Sequence, residues 1–471
     1  MSHTKVIATI GPASTSKDIL RELFAAGINV CRLNFSHGTH QDHLRVIQNI
    51  HELNHEMSTN VTILADLQGP KLRIGIVENV SVELLDGQMI DLVTTECLCT
   101  AERLYIHLPE FAQDVKPGET VLIDDGKIKL EIIETDLKSK VTAKVIYGGI
   151  LTSKKGFNLP DTKLSLPSLT EKDYADAEFA LDQNVDWIAL SFVRSADDLI
   201  TLRDLLRAKK KFARVIAKIE KPEALENIDE IIDACNGIMI ARGDLGVEVP
   251  FDRVPMIQKM IVKKCIAQAK PVVIATQMLE SMTANFRPTR AETNDVANAV
   301  LDGADAVMLS AETASGKFPV ESVKVMRQII GWTETHGYHY NHETLPDRLS
   351  HTFMPDSICL NACRLAHQAK AKAIVVFTFS GYTAQRISSH RPEAETFVFT
   401  RNRTLVSKMA LVWGMHTYHC EEVHNIDKAI EQSIESLKKR GYLKTGDVVV
   451  HVGSTPFEEK GQTNMIKLSC V

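Results

Sequence analysis

Several charged residues stand at or just beyond the ends of short apolar runs, where a buried strand would give way to a loop. Glu220 and Asp244 are two of them, and carboxylate oxygens are the hard ligands that suit an octahedral Mg²⁺. Lys218 lies inside its run, so its charge needs a partner, which a metal-bound anionic substrate would supply. Arg32 and Arg73 can bind phosphate oxygens through paired hydrogen bonds. These residue types suit chemistry on a phosphorylated anion beside a metal ion.

The turn beyond Ala241 adds a second kind of binding group. We expect the Gly243-Asp244 turn to leave backbone N–H groups open to a carboxylate. Thr276 stands at the end of a further apolar run. Taken singly, an acidic residue such as Asp244 is more often part of a surface salt bridge, so the chemistry depends on a fold that brings these residues together.

Eight strand-like runs alternate with amphipathic, helix-like stretches. The runs are residues 6–10, 28–33, 61–66, 186–193, 213–219, 237–241, 271–276 and 306–309. They are nearly all apolar, as strands buried on both faces should be. The pattern predicts an α/β fold, a (β/α)₈ barrel, in which the C-terminal ends of the strands form one mouth and carry the site.

Two further regions have patterns of their own. Residues 69–167 carry alternating segments separated by Gly, Pro and Asp, with no convincing helix, and predict an all-β domain inserted after strand three. A second α/β series has strands at residues 373–378, 396–400, 416–420, 447–452 and 465–468. We therefore expect a barrel in two parts (1–68 and 168–344), a β-barrel lid domain (69–167) and a C-terminal α/β domain (345–471).

The composition excludes several classes of protein. The chain has 471 residues, a net charge of -6 and 44% hydrophobic residues, which excludes disordered and low-complexity classes. The negative charge argues against a nucleic-acid partner. We find no signal-peptide core and no apolar run that could span a bilayer, so no membrane partner is expected. Nine scattered Cys, an odd number, are typical of reduced thiols in the cytoplasm.

One motif matches a zinc-protease pattern without the context that such a site needs. His51-Glu52-Leu53-Asn54-His55 reads HExxH, but a helix through it turns both His toward solvent, away from the barrel mouth. No third ligand is apparent, so we predict no zinc site. The chain also has no Walker A loop and no GxGxxG after a strand, so Arg, Lys and His side chains must hold any nucleotide.

Five motifs resemble, in order, those of the pyruvate kinases. They are residues 32–38 (RLNFSHG), 218–220 (KIE), 241–248 (ARGDLGVE), 276–282 (TQMLESM) and 287–292 (RPTRAE). The resemblance runs from Lys5 to the C-terminus and includes the domain order. It implies the glycolytic transfer of a phosphoryl group from phosphoenolpyruvate to ADP, giving pyruvate and ATP, by a homotetramer that uses Mg²⁺ or, in its place, Mn²⁺.

The resemblance also implies roles for single residues. Arg32, Lys218 and Thr276 match catalytic residues, and the lysine would offset charge on the moving phosphoryl group and the enolate oxygen. The other matches are Glu220 and Asp244 for the metal, Arg32, Ala241, Arg242, Gly243, Asp244 and Thr276 for the substrate, and Asn34, His37, Arg73 and Lys155 for the nucleotide. Ser310 and Glu312 are candidates for the relay that protonates the enolate.

One stretch departs from the family. Many pyruvate kinases need K⁺, held by groups matching Asn34, Ser36, Asp66 and the carbonyl of Leu67, beside an acid where this chain has Lys71. An ammonium about 4 Å from the ion would repel it by about 4 kcal/mol at an effective dielectric of about 20. We expect Lys71 to act as an internal cation that makes K⁺ dispensable. In the alternative, Lys71 points into solvent and the K⁺ site stays intact.

A candidate effector site lies near the start of the C-terminal domain. Its residues are Thr378, Ser380, Gly381, Tyr382 and Thr383, which end a strand and open a helix, where hydroxyls suit a phosphate. An ordinary helix cap is the alternative. The family's sugar-phosphate activators bind at the matching loop. Residues 454–461 carry two acids and one Lys, which favours a monophosphorylated sugar or nucleotide over a bisphosphate.

Two other functions stay open on the residues alone. A pyruvate-forming lyase or aldolase on a similar barrel would also stabilise an enolate, through a metal or a Lys Schiff base. The lid and Arg73 argue against it, because a lyase needs no cover for a second phosphate. A metabolite sensor that has lost catalysis is opposed by the intact Lys218, Glu220 and Asp244.

Overall fold

The computed structural model describes residues 2–163, 166–420, 425–456 and 463–471. Its first part supplies three parallel strands and two helices of a barrel. They are β1 (Lys5–Ile10), α1 (Lys17–Ala26), β2 (Val30–Asn34), α2 (His40–Glu56) and β3 (Thr62–Asp66). Strand β3 is buried along its whole length, as the apolar run predicts.

An inserted domain, here called the lid, follows β3. Its elements are β4 (Ser81–Leu84), β5 (Met89–Val93), β6 (Arg103–Tyr105), α3 (Phe111–Asp114), β7 (Thr120–Ile123), β8 (Ile128–Thr135), β9 (Lys140–Tyr147), β10 (Gly149–Thr152) and β11 (Phe157–Asn158). The strands form a six-stranded sheet, β11-β7-β8-β9-β5-β6, and a separate pair, β10-β4. The all-β insertion is confirmed. Isolated bridges join Arg73 to Gly156 and Ile74 to Ile106, beside the two edge strands of the larger sheet, and the closed β-barrel stays a prediction.

The lid also contains a helix that the sequence pattern did not predict. Helix α3 has four residues, of which Phe111 and Ala112 are buried in the lid core. A single turn is too short to produce the apolar periodicity of a helix, which explains why it was missed.

The second part of the chain completes the barrel. Its elements are α4 (Glu171–Asp182), β12 (Trp187–Leu190), α5 (Ala196–Ala208), β13 (Arg214–Ile219), α6 (Pro222–Glu226), α7 (Ile228–Ala234), β14 (Gly237–Ala241), α8 (Arg242–Glu248), α9 (Val254–Ala267), β15 (Val272–Ala275), α10 (Arg290–Leu301), β16 (Ala306–Leu309), α11 (Ala311–Ala314) and α12 (Pro319–His336). The eight parallel strands close in the order β1-β2-β3-β12-β13-β14-β15-β16, and β16 pairs with β1. The predicted (β/α)₈ barrel is confirmed.

A separate α/β domain ends the chain. Its elements are α13 (Phe353–Gln368), β17 (Ala373–Phe377), α14 (Tyr382–Ser389), β18 (Glu395–Thr400), α15 (Arg403–Lys408), β19 (Met415–His419), α16 (Ile426–Lys439), β20 (Val448–Gly453) and β21 (Met465–Cys470). The sheet order is β19-β18-β17-β20-β21, with β21 antiparallel. The predicted C-terminal α/β fold is therefore confirmed.

A buried ion pair joins this domain to the closed end of the barrel. The guanidinium of Arg391 lies 2.9 Å from Asp305 Oδ2 and also donates to the carbonyl of Gly303. Asp305 stands just before β16 and accepts the backbone N–H groups of Val272 and Trp413 as well. One carboxylate thus ties a barrel strand to the C-terminal domain. Within the described residues, no helix is both long and apolar enough to cross a membrane.

Candidate active site

A network of ion pairs occupies the mouth of the barrel, where the strands end. Lys218 Nζ lies 2.9 Å from Glu220 Oε1 and 3.2 Å from Asp66 Oδ1, and it donates to Ser191 Oγ at 2.7 Å. Arg32 Nε lies 2.6 Å from Asp66 Oδ2. The sequence had suggested that a substrate anion would be the partner of Lys218. The structure shows instead that the protein itself supplies partners for this charge.

Burial and charge act against each other in this network. Burial alone would raise the pKa of Asp66, but Lys218 and Arg32 hold that pKa below its ordinary value. Burial alone would lower the pKa of Lys218, yet Asp66 and Glu220 raise it above its ordinary value, so the ammonium stays charged. Burial raises the pKa of Glu220; Lys218 opposes the rise and Asp244 adds to it.

Glu220 and Asp244 fit a divalent cation on chemical grounds. Glu220 directly follows β13, Asp244 lies in the first turn of α8 after the neighbouring strand β14, and both offer hard oxygen donors. Because burial and the charge of Asp244 both disfavour ionised Glu220, a dication between the two carboxylates would relieve both penalties. The described residues contain no group of three or more His, Cys, Asp or Glu able to hold a metal. Substrate and water would have to supply the other ligands.

The structure corrects the prediction for one residue of the turn after β14, Gly243. The chain passes directly from Ala241 into helix α8, and the Gly243 N–H donates to Thr276 Oγ1 at 2.7 Å. This N–H group is therefore not open to a carboxylate. Thr276 has a φ of 71°, in the left-handed region that is strained for a threonine, and its hydroxyl also donates to the Ala275 carbonyl at 2.5 Å. The side chain is thus fixed at the end of β15.

Arg242 has a fixed position beside the mouth. Its two terminal nitrogens each lie 2.7 Å from an oxygen of Asp295 on α10, and one of them also donates to the Thr276 carbonyl at 2.7 Å. Because its guanidinium is held by a carboxylate, Arg242 is placed to support the Thr276 backbone.

The nucleotide candidates belong to two domains, the barrel and the lid. On the barrel side, Asn34 Oδ1 accepts the Ser36 N–H at 3.1 Å, and His37 is exposed. On the lid side, Lys155 pairs with Asp124 at 2.7 Å, and Arg73 donates to the carbonyl of Lys154 at 2.9 Å. Side chains of this kind can reach a ligand only by giving up or sharing these partners.

Lys71 lines the cleft that also contains Asp125 of the lid and Asp244. Its side chain is exposed, and in the described part of the chain it makes no ion pair or side-chain hydrogen bond. Leu67, at the position of the family's fourth K⁺ donor, is buried, and its carbonyl accepts the Ser191 hydroxyl at 2.7 Å.

Glu312 has a structural environment. It is fully buried, its oxygens accept the backbone N–H groups of Leu279 and Ser310, and burial raises its pKa. Both of its oxygens are occupied by the chain itself. The HExxH residues His51 and His55 are exposed on α2, as expected for the outer face of a barrel helix.

The effector candidates surround the start of α14. Gly381 has a φ of 90° and donates its N–H to Thr378 Oγ1 at 3.1 Å. Thr383 Oγ1 lies 2.6 Å from the hydroxyl of Thr463, and the Tyr382 hydroxyl donates to Asp356 at 2.5 Å. Ser380 is exposed. Residues 454–461 carry the charges that favoured a monophosphorylated ligand, and of these, residues 457–461 lie outside the described residues.

Sequence reasoning missed some residues that position the site. Ser191 follows β12 and bonds to Lys218, and Thr9 on β1 accepts a hydrogen bond from Arg32 at 3.0 Å. Both residues lie at or near the C-terminal ends of barrel strands. The predicted barrel places all eight such ends at the mouth, so the fold prediction was enough to identify them. Asp295 had no such signal, because it lies on a helix far along the chain from Arg242.

Comparison with known proteins gives a consistent result over the whole chain. A family model described as "Pyruvate kinase, barrel domain" matches residues 1–323, and one described as "Pyruvate kinase, alpha/beta domain" matches residues 356–469. A pyruvate kinase of Geobacillus stearothermophilus is 44% identical over 470 residues, which cover 99% of this chain and 80% of the relative. A pyruvate kinase of Agrobacterium vitis is 42% identical, with 99% and 98% covered.

A solved structure agrees with these sequence matches. The crystal structure of a pyruvate kinase from Cryptosporidium parvum superposes with a TM-score of 0.93 at 34% identity, covering 100% of this chain and 96% of that one. The similarity therefore includes the arrangement of barrel, lid and C-terminal domain.

Proposed function

The chain belongs to the pyruvate kinase family and transfers the phosphoryl group of phosphoenolpyruvate to ADP, giving pyruvate and ATP, and we propose how its residues carry that reaction. It is a transferase of glycolysis. The pyruvate-forming lyase is not favoured, because relatives matched over the whole chain are pyruvate kinases.

The buried charge network at the mouth carries the proposed mechanism. Phosphoryl transfer needs positioning and charge neutralisation more than covalent chemistry. Lys218, kept protonated by Asp66 and Glu220, offsets the charge on the moving phosphoryl group and on the enolate oxygen. Arg32, oriented by its pair with Asp66, binds phosphoryl oxygens.

The family uses a divalent metal, and we propose Mg²⁺, with Mn²⁺ as a substitute, on Glu220 and Asp244. When bound, such an ion supplies positive charge that polarises substrate oxygens. Thr276, whose hydroxyl is fixed by the Gly243 N–H, stands at the enolate face. Ala241, Arg242 and Gly243 shape the surface that receives the substrate carboxylate.

We propose that the nucleotide bridges the cleft. Asn34 and His37 contact it from the barrel, and Arg73 and Lys155 contact it from the lid. The support is that Asn34 and His37 belong to the barrel, whereas Arg73 and Lys155 are two basic side chains of the lid that suit phosphates.

Steady-state assays with phosphoenolpyruvate, ADP and Mg²⁺ test this assignment. ATP formation should require ADP, and Glu220→Gln and Asp244→Asn should weaken Mn²⁺ binding, measured from the signal of free Mn²⁺ by electron paramagnetic resonance. Aldehyde formation without ADP would contradict the function. Unchanged Mn²⁺ binding in both variants would contradict the metal role.

We further propose an effector site at Thr378, Ser380, Gly381, Tyr382 and Thr383 for a monophosphorylated sugar or nucleotide. The exposed hydroxyl of Ser380, at the start of α14, supports it. Titrating candidate effectors at low phosphoenolpyruvate tests the proposal. Strong activation by fructose 1,6-bisphosphate alone would contradict it.

The family resemblance also leads us to propose a cytoplasmic homotetramer. Light scattering during gel filtration should then give four times the chain mass of 52.4 kDa. A mass of one or two chains at assay concentration would contradict the tetramer.

A further inference from the structure

Glu248, a buried carboxylate at the end of α8, is not among the residues proposed to bind the substrate or the metal. Glu248 Oε1 accepts a hydrogen bond from Lys221 Nζ at 2.8 Å and another from Asn158 Nδ2 at 2.8 Å. The side chains of Lys221 and Glu248 are only 9% and 1% exposed. Glu248 Oε2 is buried and has no hydrogen-bond partner in the described residues.

The three side chains come from three parts of the molecule. Asn158 lies on β11, the strand by which the lid returns toward the barrel. Lys221 follows the metal candidate Glu220 directly, and Glu248 lies on α8 one helical turn beyond Asp244. Each candidate metal ligand is thus linked through the backbone to one member of the buried ion pair: Glu220 to Lys221 by a peptide bond, and Asp244 to Glu248 by one turn of helix.

Helix α8 touches the lid at a second point as well. The turn between β7 and β8 has positive φ at Asp124, Asp125 and Gly126. A Cβ at Gly126 would lie 4.0 Å from Val247 Cγ1 of α8. The helix that carries Asp244 therefore lies beside the tip of this lid turn and is bonded to the base of the lid through Asn158.

The burial of this ion pair needs an explanation other than stability. Desolvating Lys221 and Glu248 costs free energy that an apolar pair would avoid, and buried ion pairs are often no more stable than such replacements. A buried pair that accepts one further hydrogen bond from another domain is instead suited to fix a geometry.

We propose that Asn158, Glu248 and Lys221 are a positioning triad that couples the lid to the carboxylates of Glu220 and Asp244. When the lid moves, Asn158 shifts Glu248, and the shift reaches Asp244 along α8 and Glu220 through Lys221. None of the three needs to touch substrate. The inference depends on the proposed metal role of Glu220 and Asp244, and it adds the way in which lid position reaches that site.

Hydrogen–deuterium exchange at the lid base, with Mn²⁺ alone as the probe, tests the coupling without turnover. In the unmodified protein, Mn²⁺ should slow amide exchange around residues 157–159. Asn158→Ala removes only the hydrogen bond that the lid donates to Glu248. The Mn²⁺ affinity should therefore stay within about threefold, while the slowing of amide exchange disappears. Glu248→Gln should lose the slowing and about tenfold in Mn²⁺ affinity.

Thr162→Val is a matched control, because it removes a lid hydrogen bond, Thr162 Oγ1 to Glu119 Oε2 at 2.7 Å, that does not reach α8. It should keep the slowing. Kinetics give a second readout, in which Asn158→Ala raises the KM for ADP about tenfold and leaves the KM for phosphoenolpyruvate within about twofold. Persistent slowing in Asn158→Ala, or an equal rise of both KM values, would overturn the triad. Mn²⁺ binding that Glu220→Gln leaves unchanged would overturn the metal role instead.

Discussion

Lys218 lies between two acids, so its ammonium is held in place before any substrate arrives. Replacing it with Met removes this preorganised cation, and turnover should fall by about a hundred- to a thousandfold. Arg32 and the two metal candidates remain, so the KM for phosphoenolpyruvate should change less. Steady-state kinetics measure both parameters.

Lys209→Met is the matched control for this variant. Lys209 forms a partly exposed pair with Glu178 at 3.3 Å, away from the barrel mouth, and its loss should leave turnover unchanged. Wild-type turnover in Lys218→Met would refute the assignment.

Asp66 bears on the question of K⁺. One of its oxygens is paired with Arg32 and the other with Lys218, and Asn34 Oδ1 already accepts the Ser36 N–H. Two of the family's K⁺ donors are thus engaged by the protein. With the positive charge of Lys71 where the family has an acid, we expect full activity with Mg²⁺ and no K⁺.

The measurement is the initial rate against KCl in a tetramethylammonium background at fixed ionic strength. Lys71→Glu should make the enzyme dependent on K⁺, because a negative charge would then favour the ion. A rise of about tenfold or more on adding K⁺ to the unmodified enzyme would show instead that the exposed Lys71 leaves the K⁺ site intact.

At this scale, the sequence predicted which residue types meet at the mouth but not which atoms pair. A lysine in an apolar strand signals that a partner exists, and the neighbours of Lys218 follow only from the closed barrel. Gly243 shows the same limit, since its N–H is occupied by Thr276, which lies on a strand distant in sequence.

At the scale of elements, strand β20 contains an unusual residue. His451 is fully buried within it, and neither ring nitrogen has a hydrogen-bond partner in the described residues. Burial, with a smaller effect of Lys467 on the paired strand β21, lowers the pKa of His451 from 6.5 to about 4. The unfolded chain binds this proton below pH 6.5 and the folded chain only near pH 4, so acidification between these values should destabilise the fold.

Replacing His451 with Leu should remove that dependence. Between pH 6.5 and pH 4, the variant should lose about 1.4 kcal/mol less stability per pH unit than the unmodified protein. Urea unfolding followed at several pH values measures the difference. His51→Leu, at an exposed position on α2, should leave the slope as it was, and an unchanged slope in His451→Leu would contradict the expectation.

Most element positions could be read from the sequence because buried strands are continuous apolar runs. The predicted strands at 237–241 and 306–309 have the bounds that the structure gives for β14 and β16. Helix α8 could not be read in this way, since Arg242-Gly243-Asp244 looks like a turn and becomes helical only against β15. The two sheets of the lid depend on long-range pairing that alternation alone does not specify.

At the scale of the molecule, the Arg391–Asp305 pair holds the C-terminal domain against the barrel. Arg391→Met would leave Asp305 as an uncompensated buried charge and should cost about 3 kcal/mol or more. Thermal unfolding measures the loss as a lower Tm. Arg364→Met removes the exposed pair with Glu343 and should cost less than about 1 kcal/mol. Equal Tm values for the two variants would contradict a joining role for Arg391.

The way in which the barrel closes also determines the order in which parts of the chain can fold during synthesis on the ribosome. One edge of β1 pairs with the nearby β2, but its other edge pairs with β16, about 300 residues later, whereas every lid strand pairs within the lid. At a synthesis rate of about 5 to 20 residues per second, the edge of β1 that pairs with β16 stays unpaired for about 15 to 60 s. The lid should therefore be the first part of the nascent chain to fold, while the strands on its N-terminal side remain substrates for chaperones.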